Sequence, residues 1–343
     1  MSKKRRVLVT GASGFIGRYV IEHFLEETDW DLILIDNLSY ATDLNGLLSS
    51  LKRVEAGLER TTLLYHDLNA PLEGAIMDRI GDVDFIVNAA SASHVERSIS
   101  GPVNFIQNNV SLSINMLEFA RRVRPEKYVQ VSTDEVYGPA PTGCSHSEWA
   151  TIVPSNPYAA SKAAQEAISI AYWRTYGVPV IITNTMNNFG ESQHSEKFIP
   201  MVVREILARQ KITIHGSFDN EGNFVSGSRV WLHAINHAHA IRHILEGVPV
   251  NAYPDQDRPT KIHISGEKEV SNLDIVNLAS EILEIDAITE PVDFNQSRPG
   301  HDLRYSLDGS LLRETLNWTP LRDFDRSFRE TVLAIRDAYV ARK

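Results

Sequence analysis

The sequence predicts an α/β protein, built as a doubly wound parallel sheet with a smaller mixed α/β lobe. Short apolar segments alternate with helical segments through the first half of the chain, which is typical of a parallel sheet covered by helices. A glycine-rich turn joins the first apolar segment to the first helix. The chain has 343 residues, more than the roughly 250–300 that one core usually serves, so we expect a second lobe.

Charge and cysteine content limit the classes of partner. A net charge of −10 argues against nucleic acid or an anionic membrane surface as the main partner. The single cysteine, Cys144, cannot form an intramolecular disulfide, which fits a reducing compartment. No apolar run reaches the ~20 residues of a membrane span, and no signal peptide precedes the first strand. We therefore expect a cytoplasmic protein.

The first strand and helix predict a dinucleotide site. Val7–Thr10 is apolar enough for a buried strand, and a helix is expected over Arg18–Glu27. Between them, Gly11, Gly14 and Gly17 allow a tight turn and a close approach of the backbone to a pyrophosphate. The helix N-terminus adds N–H donors and the positive end of its dipole. This pattern is that of a Rossmann-type domain.

The second strand, Asp31–Asp36, ends in an acid 19 residues after Gly17, where a ribose 2′-hydroxyl would be held. Asp36 would repel a 2′-phosphate, so NAD is favoured over NADP. The alternative is that Asp36 only caps a loop. The third strand, Thr62–Tyr65, leads to Asp67-Leu68, a candidate adenine contact. The fourth, Asp84–Ala90, ends in small residues that a cofactor could pass closely.

The fifth strand carries the first candidate catalytic residues. A long helix over Pro102–Val123 precedes the strand Lys127–Val131. Thr133, Asp134 and Glu135 then lie at its carboxyl end, where open α/β sheets bind their ligands. On spacing alone, the same residues could simply form a turn.

The next helix carries a tyrosine–lysine pair. Tyr158 and Lys162 are four residues apart and therefore share a helix face. A phenol is a poor base at neutral pH, but a nearby ammonium and a positively charged nicotinamide favour its phenolate. The pair is common on ordinary helices, and its position after a dinucleotide motif makes it specific.

Together these motifs resemble a known superfamily. Gly11-x-x-Gly14-x-x-Gly17, Ser132/Thr133 and Tyr158-x-x-x-Lys162 are similar to the extended short-chain dehydrogenases/reductases. Within that superfamily, the Thr-Asp-Glu segment before Val-Tyr-Gly resembles the nucleotide-sugar 4,6-dehydratases, above all those acting on dTDP-glucose. The resemblance continues through the segments at 93–99, 184–190, 196–200 and 298–302, and so covers nearly the whole chain.

The resemblance implies a reaction and a role for each catalytic residue. The hexose is oxidised at C4 by NAD, water is eliminated across C5 and C6, and hydride returns to C6. Tyr158 takes the C4 hydroxyl proton, Thr133 hydrogen-bonds the C4 oxygen, and Lys162 binds the nicotinamide ribose and lowers the tyrosine pKa. Glu135 then removes the C5 proton while Asp134 protonates the departing C6 hydroxyl.

The resemblance also assigns binding residues. Those assigned to NAD are Gly11, Gly14, Phe15, Ile16, Gly17, Asp36, Asn37, Asp67, Leu68, Ala89, Ala90, Asn109, Tyr158 and Lys162. Those assigned to the nucleotide-diphosphate hexose are Ser93, His94, Asn187, Asn188, Lys197, Arg229, Arg298 and His301. Arg229 and Arg298 are the expected diphosphate clamps, because a guanidinium can offer a planar fork to phosphate. For either arginine alone, a surface ion pair is the alternative.

The division into lobes also follows from the resemblance. Residues 1–188, with about 229–264, are expected to form the NAD-binding domain. Residues 189–228 and 265–343 are expected to form the nucleotide-sugar-binding lobe. The family's habit implies a homodimer through the helices Pro102–Val123 and Tyr158–Tyr176. Between Gly216 and Arg229 the chain is about seven residues longer than the family loop, which suggests a surface excursion or a lid.

Two alternatives to the dehydratase stay open. The first is a 4-epimerase or UDP-glucuronate decarboxylase of the same superfamily, although neither reaction needs the paired Asp134 and Glu135. The second is a non-catalytic NAD-binding regulator, because fold does not fix function. The histidines at 233, 237, 239 and 243 could suggest a metal, but no glutamate completes a zinc-protease pattern, so we expect none.

Overall fold

The computed structural model describes residues 4–39, 42–252, 256–294, 300 and 302–341. Its strands are β1 (Arg6–Thr10), β2 (Asp31–Asp36), β3 (Thr61–Tyr65), β4 (Phe85–Asn88), β5 (Lys127–Thr133), β6 (Val180–Thr185), β7 (Asn188–Phe189), β8 (Lys211–Phe218), β9 (Phe224–Ser226), β10 (Ser228–His233), β11 (Thr260–Ile264), β12 (Lys268–Ser271), β13 (Ile288–Asp293) and β14 (Arg304–Tyr305).

The helices cover both faces of the main sheet and fill the second lobe. They are α1 (Phe15–Glu27), α2 (Leu44–Arg53), α3 (Ala75–Ile80), α4 (Val95–Ser100), α5 (Pro102–Val123), α6 (Pro157–Tyr176), α7 (Phe198–Leu207), α8 (Ala234–Gly247), α9 (Asn272–Leu283), α10 (Ser310–Leu316) and α11 (Phe324–Val340), with a 3₁₀ helix at Asp134–Tyr137. Among the described residues, no helix combines the length and apolar character that a bilayer crossing requires.

The main sheet has seven parallel strands in the order β11-β6-β5-β4-β1-β2-β3. The order reverses between β1 and β4, so the loops after these two strands diverge and open a crevice at the carboxyl edge. The predicted doubly wound parallel sheet is confirmed. The central strands, such as β1 and β4, are buried on both faces, which explains why the sequence shows continuous apolar runs there instead of alternation.

Each face of this sheet has its own core. On one face, α1 and α8 pack together with Ile21, Phe24 and Ile244 in a shared apolar cluster. On the other face, α5 contributes Met116 and Phe119, both almost fully buried. The predicted helix over 102–123 is confirmed, and a proline at its first position helps to begin it.

The second lobe contains two small sheets. One has the order β12-β10-β14, with β7 also pairing with β10, and the other has the order β13-β8-β9. Helices α7, α9 and α11 pack around a common apolar core in this lobe. Within the range 229–264, β11 belongs to the main sheet and β10 to a small one. The division of the chain into domains stays a prediction.

The extra residues between Gly216 and Arg229 form a β-hairpin. Strands β8 and β9 pair antiparallel, from Gly216 opposite Ser226 to Phe218 opposite Phe224. Asp219 closes the tip, where its Oδ1 accepts the backbone N–H groups of Glu221 at 2.9 Å and Asn223 at 2.8 Å. The insertion therefore has regular structure, although the sequence offered only a long polar loop.

Candidate active site

The carboxyl end of β5 places three functional side chains in succession. The strand runs through Thr133, two residues farther than predicted, and the 3₁₀ helix begins at Asp134. Thr133 Oγ1 donates to Asp134 Oδ1 at 2.9 Å. Gly138 ends the turn with φ +74°, and a Cβ there would lie 2.4 Å from the carbonyl oxygen of Val153. A larger residue would therefore disturb the turn that presents the two acids.

Asp134 is a buried acid with an unused oxygen. Asp134 is only 3% exposed, and its Oδ2 has no hydrogen-bond partner within the described part of the chain. Burial, and secondly the charge of Glu135, raises the pKa of Asp134 to about 7. An orphaned buried oxygen is costly and is expected where a ligand completes the bonding.

Glu135 is held by an amide. Asn156 Nδ2 donates to Glu135 Oε2 at 3.1 Å. Burial raises the pKa of Glu135, while the bond from Asn156 and the charges of Arg229 and Lys197 oppose that rise. The two adjacent acids therefore have different surroundings: one has a free oxygen, and the other has a donor and two cations nearby.

Helix α6 presents Tyr158 in its first turn. Asn156 caps the helix by accepting the Ala159 N–H at 2.8 Å, and Pro157 takes the first helical position. The Tyr158 backbone N–H donates to Ser98 Oγ at 3.1 Å. Burial, and secondly the charge of Glu135, raises the pKa of Tyr158, and a hydrogen bond with the Thr133 side chain acts in the opposite direction.

Lys162 lies one turn farther along α6 and is 3% exposed. Its Nζ donates to the Val131 carbonyl at 2.7 Å and to Gln165 Oε1 at 2.6 Å. Burial lowers the pKa of Lys162 to about 8, and the charge of Glu166 opposes this. At neutral pH the side chain is therefore still mostly an ammonium.

A buried ion pair behind β5 escaped the sequence analysis. Glu166 Oε2 accepts Lys261 Nζ at 2.8 Å, and both residues are 1–2% exposed. Glu166 Oε1 also accepts Asn184 Nδ2 at 2.6 Å and bonds the Ser132 hydroxyl. Glu166 follows Lys162 by four residues, so helical spacing could have found it. Lys261 is on β11, and no local pattern pointed to it.

The glycine turn fits a pyrophosphate-binding loop. Gly11 has φ +67°, and a Cβ on it would lie 3.0 Å from the backbone of Ala90. A Cβ on Gly17 would lie 2.1 Å from the Gly11 carbonyl oxygen. Asp36 is buried at the end of β2, where it accepts the N–H of Ser13 at 2.8 Å. There is no room for a side chain at Gly11 or Gly17, and Asp36 lies where a ribose hydroxyl would bind. These residues therefore fit NAD.

The other residues predicted to bind NAD line the same edge of the sheet or support it. Asn109 is fully buried and joins the loop after β4 to α6, since its Nδ2 donates to Ala92 O at 3.0 Å and Ser161 Oγ at 2.9 Å. Ala90 N–H donates to Thr10 Oγ1 at 3.1 Å. At the start of α1, or in the loops after β2, β3 and β4, lie Phe15, Ile16, Asn37, Asp67, Leu68 and Ala89.

Two of the predicted substrate residues meet the start of α7. Lys197 Nζ donates to the Ser93 carbonyl at 3.2 Å. His94 Nε2 lies 3.4 Å from Glu196 Oε2, and burial lowers the pKa of His94. These contacts connect the loop before α4 with the second lobe, above the carboxyl edge of the main sheet.

The side chains of Asn188 and Arg229 and the backbone of Asn187 bond to the protein itself. Asn188 Nδ2 donates to Thr185 Oγ1 and to the Met186 carbonyl, and the Asn187 carbonyl accepts the Leu232 N–H. Arg229 donates to three carbonyls, and its guanidinium lies 4.5 Å from the centre of the Tyr305 ring. The other predicted clamp, Arg298, and His301 lie outside the described residues.

The four histidines form separate contacts. His233 lies 3.3 Å from Glu191, His237 lies 3.1 Å from Asn188 Oδ1, and His239 packs against His243 with ring centres 4.1 Å apart. Across the described ranges, no group of three or more His, Cys, Asp or Glu side chains is arranged to hold a metal ion.

Comparison with known proteins gives the family. A family model described as GDP-mannose 4,6 dehydratase matches residues 8–331. The dTDP-glucose 4,6-dehydratase 1 of Escherichia coli K12 is 33% identical, over 95% of this chain and 91% of that protein. A probable dTDP-glucose 4,6-dehydratase of Sinorhizobium fredii is 34% identical, over 95% of this chain and 91% of that protein.

Solved structures agree. The dTDP-glucose 4,6-dehydratase from Streptomyces venezuelae, crystallised with NAD bound, has a TM-score of 0.84 and 32% identity, covering 98% of both chains. The UDP-glucose 4-epimerase from Thermus thermophilus has a TM-score of 0.83 at 24% identity, covering 97% of this chain and 99% of that one, and shows the fold alone. The chain belongs to the GDP-mannose 4,6 dehydratase family of the extended short-chain dehydrogenases/reductases.

Proposed function

We propose that the protein is an NAD-dependent 4,6-dehydratase of a nucleotide-diphosphate hexose, of the dTDP-glucose or UDP-glucose type. The product is the 4-keto-6-deoxy sugar, formed when hydride adds to C6 and Glu135 returns its proton to C5. The observation that carries this proposal is the pair Asp134 and Glu135 at the end of β5, in the same buried site as Tyr158. An epimerase or decarboxylase would leave this pair without a role, because neither reaction removes water.

NAD is the cofactor that the site fits. Bound NAD supplies a hydride acceptor for C4 and a hydride donor for C6. The turn from Gly11 to Gly17 would hold its pyrophosphate, Asp36 a ribose hydroxyl, and Lys162 the nicotinamide ribose. The Streptomyces venezuelae relative was crystallised with NAD.

Tyr158 removes the proton from the C4 hydroxyl. Burial raises the pKa of this phenol, so it needs help to act as a base at neutral pH. Lys162 gives that help, because an ammonium with a pKa of about 8 is still mostly charged and favours the phenolate. Thr133 Oγ1 hydrogen-bonds the C4 oxygen next to the Tyr158 phenol, with which the Thr133 side chain already forms a hydrogen bond.

The two acids divide the elimination between them. The pKa of Asp134 is raised to about 7, so this residue can carry a proton near neutral pH and protonate the C6 hydroxyl as it leaves. The Asn156 amide and two nearby cations favour the carboxylate form of Glu135 against the effect of burial, and this residue removes the C5 proton. Neighbouring acids in different surroundings are what an acid–base pair requires.

The proposal also covers the oligomeric state of the protein, its cellular location and its division into two lobes. Two helices, α5 and α6, expose apolar side chains, Val103 at 65%, Ile114 at 37% and Tyr176 at 51%, which supports a homodimer through these helices. The exposed free thiol of Cys144 supports a cytoplasmic location. We retain the expected NAD-binding domain at 1–188 with about 229–264, and a sugar-binding lobe from 189–228 and 265–343.

Turnover of candidate substrates tests this function. The purified protein is incubated with dTDP-, UDP-, CDP- and GDP-glucose and, separately, with UDP-glucuronate, and products are measured by mass and by the 4-keto chromophore in alkali. We expect a product lighter by one water from one of them, and no product from the Tyr158→Phe variant. A product of unchanged mass with inverted C4 would identify an epimerase. Loss of carbon dioxide from UDP-glucuronate would identify a decarboxylase, and either result would refute the dehydratase.

A further inference from the structure

The side chain of Asn156 makes three hydrogen bonds next to Glu135 in the candidate active site. Its Oδ1 accepts the Ala159 N–H at 2.8 Å, while its Nδ2 donates to Glu135 Oε2 at 3.1 Å and to the Gly300 carbonyl at 3.0 Å. The residue is 6% exposed. Its partners fix the orientation of the amide, because one is an N–H donor and the other two are acceptors.

These bonds join three parts of the chain. The Oδ1 bond caps α6, the helix that carries Tyr158 and Lys162. One Nδ2 bond reaches the acid at the end of β5, and the other reaches Gly300 in the second lobe. Serine or aspartate could cap the helix as well. Only an amide can accept at the cap and also donate to both oxygens, so capping alone does not explain an asparagine here.

We propose that Asn156 is a positioning residue for the proton-abstracting carboxylate: it holds Glu135 as an oriented anion and ties it to the second lobe at Gly300. This inference rests on the proposed function for the role of Glu135. The bond engages Oε2 of Glu135, which leaves Oε1 as the oxygen for the C5 proton. Asn156 itself transfers no proton.

The electrostatics of the site explain why a donor is needed. Burial favours the neutral form of Glu135, and the nearby carboxylate of Asp302 does the same. Lys197 and Arg229 favour the anion. Of the groups that favour the anion, the Asn156 amide has the largest effect on the pKa of Glu135. Its removal should therefore leave the general base protonated at a pH where the wild type has it ionised.

A direct titration tests the inference without relying on turnover. Protein labelled with ¹³C at glutamate carboxyls is titrated by NMR, and the Glu135 signal is identified by its loss in Glu135→Gln. Asn156→Ser and Asn156→Asp both keep a cap acceptor, which similar melting temperatures would verify. We expect the Glu135 midpoint to rise by about one to two pH units in Asn156→Ser, and further in Asn156→Asp, where a carboxylate replaces the donor.

Ser155→Ala is the matched control. Ser155 Oγ donates to Asp302 Oδ2 at 2.6 Å, so this variant also loses a bond between the start of α6 and the second lobe, but leaves the Asn156 amide in place. Asp302 acts on Glu135 only through its charge and less strongly than the Asn156 amide does, so we expect the Glu135 midpoint of Ser155→Ala to shift much less than that of Asn156→Ser. A midpoint that is the same in the wild type and both Asn156 variants would overturn the inference, as would an equal shift in Ser155→Ala.

Kinetics give the second readout. In Asn156→Ser we expect kcat at neutral pH to fall about tenfold, KM to change little, and the lost rate to return as the pH is raised, because the base ionises again. A loss of rate that is the same at every pH would indicate a merely structural role and contradict the inference. If the wild type dehydrates no nucleotide hexose, the proposed function fails, and the titration still decides whether Asn156 holds Glu135.

Discussion

The polar groups at the end of β5 and in the Arg229 region of the second lobe differ in whether the protein satisfies their hydrogen bonds. Asp134 is buried with an oxygen that has no partner among the described residues, and its pKa is raised to about 7. Arg229 donates to the carbonyls of Ser228, Leu303 and Asp302, each at 2.7 Å. The first group is left incomplete, whereas the second is satisfied by the protein alone.

This difference distinguishes a region that serves catalysis from a region that stabilises the fold. An unsatisfied buried acid lowers the free energy of unfolding, and such groups are retained where a ligand will use them. A guanidinium that bonds three carbonyls stabilises the loops it joins. Substitutions at the end of β5 should therefore lower activity and spare or raise stability. Substitutions at Arg229 should lower both.

The largest expected effect is on activity, from Glu135→Gln. The amide has nearly the same shape as the acid and cannot remove the C5 proton, so turnover should fall roughly 10²–10⁴-fold. Thr133, Tyr158 and Lys162 remain, so C4 oxidation should still occur and reduced nicotinamide should accumulate with substrate. Stopped-flow absorbance and product mass measure the two steps. Full turnover by this variant would remove Glu135 from the elimination.

Asp134→Asn tests the stability side of the comparison. The folded-state pKa of Asp134 is raised from 3.8 to about 7, so the folded protein binds its proton more tightly than the unfolded chain does. Asp134 therefore lowers stability progressively as the pH rises from about 4 to 7, and the full penalty is present above pH 7. Asn should raise the free energy of unfolding by roughly 1–4 kcal/mol at pH 8, and by little at pH 4.

Denaturant unfolding at the two pH values measures this gain, with Asp337→Asn as an exposed control on α11. A variant that is less stable than the wild type at pH 8 would mean that Asp134 is stabilised by its surroundings. The proposed contrast between the two regions would then be wrong.

Sequence reasoning succeeded where a motif is local. The glycine turn, Asp36, the Thr133–Glu135 segment and the α6 pair all lie within short stretches, and the structure places them at one edge of the main sheet. Long-range partners could not be predicted in this way. The Glu166–Lys261 pair joins residues 95 positions apart, and it depends on which strand lies at the edge of the sheet.

Arg229 also shows that long-range partners could not be predicted from the sequence. The sequence predicted an arginine free to clamp a diphosphate, but could not show which carbonyls would surround it. Those carbonyls belong to residues 228, 302 and 303, and two of the three are more than seventy residues away along the chain. Whether the guanidinium leaves them for a phosphate stays a prediction.

Arg229→Lys sharpens the comparison at the second region. An ammonium cannot reproduce the planar fork, so at least one carbonyl should lose its donor. We expect a loss of about 1–2 kcal/mol in the free energy of unfolding, and an increase in KM larger than the change in kcat. Arg326→Lys, at an arginine whose side chain is 70% exposed, is the control and should stay within about 0.5 kcal/mol of the wild type. Unchanged stability in Arg229→Lys would show that its three bonds contribute little.

The smallest effect is expected at the tip of the β8–β9 hairpin. Asp219 is an exposed acid whose pKa is lowered, first by its hydrogen bond with the backbone of Asn223. Its contribution to stability is therefore present above the ordinary aspartate pKa of 3.8 and disappears as the pH falls through the lower folded value. Asp219→Ala should lower the melting temperature at pH 7 by less than Arg229→Lys does.

The wild type and Asp219→Ala should have the same melting temperature once the pH is below the folded pKa of Asp219. KM for the nucleotide hexose should stay within about twofold of the wild type, because this hairpin tip closes on its own backbone and the Arg229 bonds remain intact. Thermal melts across pH and steady-state kinetics measure both outcomes. A large rise in KM without a change in stability would mean that the hairpin is a lid over the substrate. Satisfied polar groups would then no longer distinguish a structural region from one that binds ligand.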